Sequence, residues 1–308
     1  MYAWNKNPCV LPTNKTMIEI KMGINESIQI LKRISTSLLQ IRENANLTYK
    51  ESHEDFVHKA DALCLSFMQK IESCENLYYS VLHSDSLMGK IVDINSLYTI
   101  YRSILETLIY FHYGFVLSSN NDEETLSILL WKIAGLQNII NTKDNIPQRL
   151  VYKINESIDD YKETKNRILS IIEKYNFNQD KQSMDVIQKF RKDSCKITNS
   201  PYFIKLTHDG NSFLHKLTIT DATNKYFEEK SKYLPNLYTL LSVSAHPSYI
   251  GLQRYEEILR SAMSNDLSKI NAHLNLIFKG IVIIGSCFYD EYKEFLGRFE
   301  DFFSNSDL

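Results

Sequence analysis

Apolar residues return every three or four positions through most of this chain, with few interruptions by Gly or Pro. That rhythm predicts long amphipathic helices. From Thr16 to Glu43 it is carried by Ile18, Ile20, Ile24, Ile28, Leu31, Ile34, Leu38 and Ile41, and from about Tyr49 to His83 by Phe56, Ala60, Leu63, Phe67, Ile71 and Leu77. Ser84, Asp85 and Ser86 then supply turn and cap chemistry. A third helix is expected over Ile94–Leu117, a fourth over Glu123–Asn141, and a fifth from Pro147 to about Tyr175, with Pro147 in its first turn. Residues 176–221 are more polar and less periodic, which predicts short helices joined by loops and makes this stretch the place for a loop-rich insertion. Periodicity resumes at Thr220, with Tyr226, Phe227, Tyr233, Leu237, Leu240 and Leu241, and a final helix is expected from the Ser264-Asn265-Asp266 cap to near Phe303.

The third helix organises the rest. Ile94–Leu117 is apolar around nearly its whole circumference, which marks a central helix, and its acidic and basic residues are Arg102 and Glu106. Four residues apart, these two meet on one face, and Tyr110 and Tyr113 follow at the next turns of that face. Both charges are expected inside the protein, where such a pair needs further hydrogen-bond partners to offset its desolvation.

One other stretch can supply them. In Tyr238-Thr-Leu-Leu-Ser242-Val-Ser244-Ala-His246-Pro247-Ser248, Tyr238, Ser242 and His246 recur at four-residue spacing and make a polar stripe. Pro247 disfavours helix at the preceding residue, so His246 is expected at a helix C-terminus, where the dipole favours a protonated ring.

Composition narrows the class without naming a function. The 308 residues are long enough for one large helical domain, and the reading is an irregular segment over 1–15 followed by a single all-α domain over 16–308. With 35 Lys plus Arg against 37 Asp plus Glu, there is no general attraction to nucleic acid, so any such contact must be local. Nine Gly and six Pro argue against an all-β fold. The five cysteines, Cys9, Cys64, Cys74, Cys195 and Cys287, form no CxxC and read as reduced thiols of a cytoplasmic protein. The N-terminus lacks a signal-peptide core, and Leu274–Tyr289, though apolar, carries Lys279 and is short for a bilayer span, so no membrane contact is expected.

The Arg102-Ser103-Ile104-Leu105-Glu106 helix and the Tyr238-x-x-x-Ser242-x-x-x-His246-Pro247-Ser248 stretch together resemble the HEPN-like helical proteins, in particular an uncharacterised bacterial family with both motifs. The likeness covers roughly residues 50–290. It implies a multi-helix bundle with long antiparallel helices, a homodimer, and metal-independent ribonuclease chemistry in bacterial defence, with RNA and a partner protein of a defence system as further contacts. Such cleavage needs an acid and a base for the ribose and leaving oxygens and a cation for the phosphorane charge. On this resemblance, the catalytic set is Arg102, Glu106, Ser242 and His246, and Tyr110, Tyr113, Tyr238, Ser244 and Ser248 bind substrate. Catalytic HEPN proteins carry Arg and His four to six residues apart on one helix; here the arginine comes from a different helix than His246. The alternative reading is a non-catalytic binding, sensor or scaffold module in which the Arg-Glu-Ser-His network only fixes helix packing.

Other chemistries find less support. His53 and His58 miss the four-residue spacing of a helical zinc site, and His208 and His215 have Asp209 as their neighbouring carboxylate, so all four read as surface residues and neither a metal nor a cofactor is expected. Lys181, Lys189, Arg191, Lys192 and Lys196 with Phe190 make a local basic and aromatic patch, either a nucleic-acid contact or a solvated face balanced by Asp180, Asp185 and Asp193. There is no Gly-rich phosphate loop and no Gly-x-Ser-x-Gly.

Overall fold

The computed structural model describes residues 23–44, 54–83, 87–141, 151–175, 177, 180–192, 201–207, 212–230, 236–245, 249–264 and 268–299. They form an all-α bundle: α1 (Ile24–Asn44), α2 (Glu54–His83), α3 (Leu87–Phe111), α4 (Asn121–Asn141), α5 (Val151–Ile172), α6 (Lys181–Arg191), α7 (Ile219–Glu229), α8 (Leu237–Ala245), α9 (Tyr249–Met263) and α10 (Ser268–Gly297). The caps expected at Ser84–Ser86 and Asn265–Asp266, and the helix end near Phe303, lie outside the described residues.

Two departures from the sequence reading fall between α6 and α9. The expected short helices near 200–216 are instead a β-hairpin, β1 (Tyr202–Lys205) against β2 (Phe213–Lys216), antiparallel with Phe203 opposite His215 and Ile204 opposite Leu214. The single helical run expected from Thr220 to His246 is two helices, and Asn236, with φ 57°, takes the left-handed backbone that starts α8 anew.

Apolar periodicity explains where the helices pack. Along α1, Ile28, Leu31, Ile34 and Leu38 are all buried, and the same register runs the length of α10. Buried residues divide into two apolar cores. The larger surrounds α3 and α10 with faces of α1, α2, α7, α8 and α9, and includes the stacked pair Phe67 and Phe288. The smaller joins α4, α5, α6 and the hairpin around Leu130, Ile133, Ile168, Phe190 and Leu214. Helix α10 is long and apolar enough to cross a membrane by length and composition; here its apolar faces are largely spent inside the larger core. Cys64, Cys74 and Cys287 are buried and outside any disulfide, and burial raises the thiol pKa of the first two to about 12.

The join between the cores is locally specified. Helix α3 continues into a π-helical turn over His112–Val116, closed by Leu117 N–H donating to the His112 carbonyl at 3.1 Å. Such turns insert an extra residue into a helix and often mark functional positions. From the end of α10, Arg298 donates to the carbonyls of Phe115 (2.7 Å) and Val116 (3.3 Å) and pairs with Glu124 at 3.0 Å. Glu123, fully buried at the start of α4, accepts from Ser119 N–H (2.7 Å) and from Leu206 N–H (2.6 Å), tying the hairpin to α4.

Candidate functional site

The Arg102 and Glu106 side chains meet on α3 as their spacing requires, with Arg102 Nε donating to Glu106 Oε1 at 3.0 Å. From α8, Tyr238 reaches both: Arg102 Nη2 donates to its hydroxyl at 2.7 Å, and that hydroxyl donates to Glu106 Oε1 at 3.0 Å. The guanidinium also lies 5.0 Å from the Tyr238 ring centroid, within cation–π range. Burial works against charge on Arg102, but Glu106 and Tyr238 more than offset it and raise its pKa. The Tyr238 phenol is itself raised, first by burial and then by Glu106.

The charges are not sealed inside, as the sequence suggested: the Arg102 side chain is 22% exposed and that of Glu106 30%. Below the pair, Lys70 of α2 donates to Thr107 Oγ1 at 2.6 Å and to the Ser103 carbonyl at 3.4 Å, and burial lowers its pKa.

The other expected site residues are distributed differently. Ser242 is half-buried one turn beyond Tyr238, and it is Tyr238 that contacts both members of the Arg102 pair. Ser244 is buried, donating to the Leu240 carbonyl at 2.8 Å and accepting from Arg254 of α9. Helix α8 ends at Ala245, and His246 and Ser248 lie outside the described residues. Tyr110 continues the Arg102–Glu106 stripe, and burial followed by Glu106 raises its phenol to about 12. Tyr113 leaves that stripe because the π-turn rotates it away: its hydroxyl donates to the Ala222 carbonyl at 3.5 Å, and its ring meets Phe203 edge-on.

At the other end of the same stripe, Tyr98 shares a 2.7 Å hydrogen bond with His273 Nδ1 of α10. Burial, then the nearby Arg254, lowers the His273 pKa.

Sequence reasoning missed a buried network on the opposite side of α3. Glu291 of α10 is fully buried, with His112 Nδ1 2.9 Å from Oε2, and Tyr226 OH (3.0 Å) and Lys230 Nζ (2.7 Å) on Oε1. Burial alone would raise this carboxyl; the His112 and Lys230 contacts overcome it and hold it at about 2. The signal was present in the register: His112 follows Ile104, Leu108 and Ile109 on their apolar face, and Glu291 follows Ile284, Cys287 and Phe288 on theirs. His112 Nε2 is buried and has no hydrogen-bond partner.

An aromatic pocket opens where the π-turn, α4 and β1 meet. Tyr110, Tyr113, Gly114, Phe115, Trp131 and Tyr202 line it, around a free volume of about 50 Å³. The rings of Tyr110 and Trp131 are within 12° of parallel with centroids 6.4 Å apart, and Phe115 meets Trp131 at 82°.

Within the basic and histidine-containing stretches, Phe190 and His215 take structural positions, while Lys181, Lys189, Arg191 and Lys192 stay exposed. Phe190, the aromatic member of that basic patch, is buried in the smaller core and faces away from Lys189 and Arg191. Lys196 is outside the described residues, as are His53 and His208. His58 is exposed, whereas His215 is half-buried and bonded at 2.7 Å to Asp180, the residue that caps α6. Among the described residues, no group of three or more His, Cys, Asp or Glu is placed to hold a metal ion. No family model, curated protein or solved structure matches the chain.

Proposed function

We propose that this chain is an RNA-directed effector of bacterial defence that cleaves RNA without a metal ion. What carries the reading is Arg102, a cation fixed by Glu106 and Tyr238 yet reachable from solvent, on the face of α3 that α8 crosses just before His246. In the proposed step the ribose 2′-oxygen gives up its proton and attacks phosphorus. The bond to the 5′-oxygen breaks, that oxygen takes up a proton, and a 2′,3′-cyclic phosphate remains. His246 serves as the base or the acid and water exchanges the other proton, Arg102 stabilises the added negative charge, and Glu106 with Tyr238 holds Arg102 in place. RNA and a second copy of the chain are partners under the same proposal.

Incubating total RNA with the protein under chelation tests it. Cyclic-phosphate ends that vanish in His246→Ala and Arg102→Ala are the expected result; intact RNA with wild-type protein would defeat it.

A second reading is favoured by one observation: Arg102, Glu106 and Tyr238 already satisfy one another, as a packing network or a sensor module needs no catalyst. On that reading Arg102→Ala lowers the melting temperature and changes no RNA.

A further inference from the structure

We propose that the aromatic pocket between the π-turn, α4 and β1 is a nucleobase subsite, so that the chain prefers single-stranded RNA with an unpaired base near the phosphodiester held at Arg102. The phosphodiester part of this inference rests on the function proposed above; the pocket itself does not. Three observations converge on a flat ring as the occupant.

The first is the state of the Tyr110 and Trp131 rings. At 6.4 Å and 12° they sit at the far end of the range for stacked pairs and cannot cover each other face to face. Trp131 is 40% exposed, so its indole is reachable from solvent. Phe115, edge-on to Trp131, holds the indole in this orientation.

The second is the backbone. Tyr113, Gly114 and Phe115 come from the π-turn itself, whose carbonyls Arg298 fixes. A Cβ built on Gly114 meets nothing within 4 Å, so this residue leaves open space in the pocket wall. A free volume of about 50 Å³, open to solvent, suits the leading edge of one planar ring.

The third is position. Tyr110 lies eight residues beyond Arg102 on one stripe of α3, about 12 Å along the helix axis. A base stacked at Tyr110 and Trp131 thus belongs to a nucleotide adjoining the one whose phosphate meets the guanidinium. Stacking on aromatic side chains suits any base, and a paired base offers no free face.

The chain contains two tryptophans, Trp4 and Trp131, so Trp4→Phe makes Trp131 the sole indole reporter. Its fluorescence is titrated with adenosine 5′-monophosphate, single-stranded oligoadenylate, duplex RNA and N-acetyltyrosinamide. Saturable quenching is expected with the first two and not with duplex. Tyr110→Ala should weaken it about tenfold. Gly114→Leu, which fills the pocket and keeps every ring, should abolish it at an unchanged melting temperature; if Gly114→Leu unfolds the protein, Gly114→Ala at the same position should still weaken it. Absence of saturable quenching by either nucleotide probe overturns the subsite, and a response to N-acetyltyrosinamide alone overturns it in favour of a peptide. RNA cleavage with a silent Trp131 removes the subsite and leaves the nuclease; quenching without cleavage supports the subsite and removes the nuclease.

Discussion

The Tyr238 hydroxyl stands 2.7 Å from the Arg102 guanidinium, joining a nine-residue helix to the central helix across 136 positions of sequence. The same oxygen donates to Glu106, so a single phenol fixes both halves of a charged pair that solvent can reach. Tyr238→Phe should therefore cost about 1 kcal/mol by loss of its hydrogen bonds while the ring still packs. Urea unfolding measures it, and a variant as stable as wild type would show the bridge to be idle.

The buried Glu291 network makes stability depend on acid. Its carboxyl is depressed from the ordinary 4.5 to about 2, so its contribution is complete above about pH 4.5 and is lost as pH falls toward 2. Glu291→Gln should be less stable than wild type by about 3 kcal/mol near neutrality, and the gap should close on acidification. Unfolding midpoints of the two proteins from pH 3 to pH 7 read this directly. A gap independent of pH would mean that His112 and Lys230 do not face an ionised carboxylate.

Close approach of α3 and α10 depends on Gly280. A Cβ there would collide with the Tyr101 hydroxyl and ring, which are themselves buried. Gly280→Ala should cost about 1–3 kcal/mol through overpacking, and adding Tyr101→Leu should recover part of that loss. Additive losses in the double variant would place the strain elsewhere.

The smaller core should be stabilised by Phe190 rather than by the charges around it. Phe190→Ala is expected to destabilise by about 3–5 kcal/mol, whereas Lys189→Ala stays within about 0.5 kcal/mol. Paired thermal melts compare them, and a reversed order would return the ring to the surface patch.

Long-range periodicity made much of this legible. The apolar register of Ile28, Leu31, Ile34 and Leu38, and the nearly all-round apolar surface of Ile94–Leu117, mark the central helices in the sequence alone. Tyr238 was legible as part of a polar stripe, though the spacing alone did not say that it, and not Ser242, would bridge the charged pair. The hairpin was hidden because Tyr202–Lys205 and Phe213–Lys216 are four residues each, too short for alternation to stand out. Glu291 was hidden for a different reason. Set among Asp290, Lys293 and Glu294 it reads as surface charge, and only its register with Phe288 and Phe295 puts it inside.

Whether Arg102 acts on a phosphodiester is read from the ends that RNA carries after incubation. Under chelation, wild-type protein should generate 2′,3′-cyclic phosphate ends, and Arg102→Ala, assayed well below its own melting temperature, should generate none. Equal cleavage by both proteins, or intact RNA with each, would contradict the account.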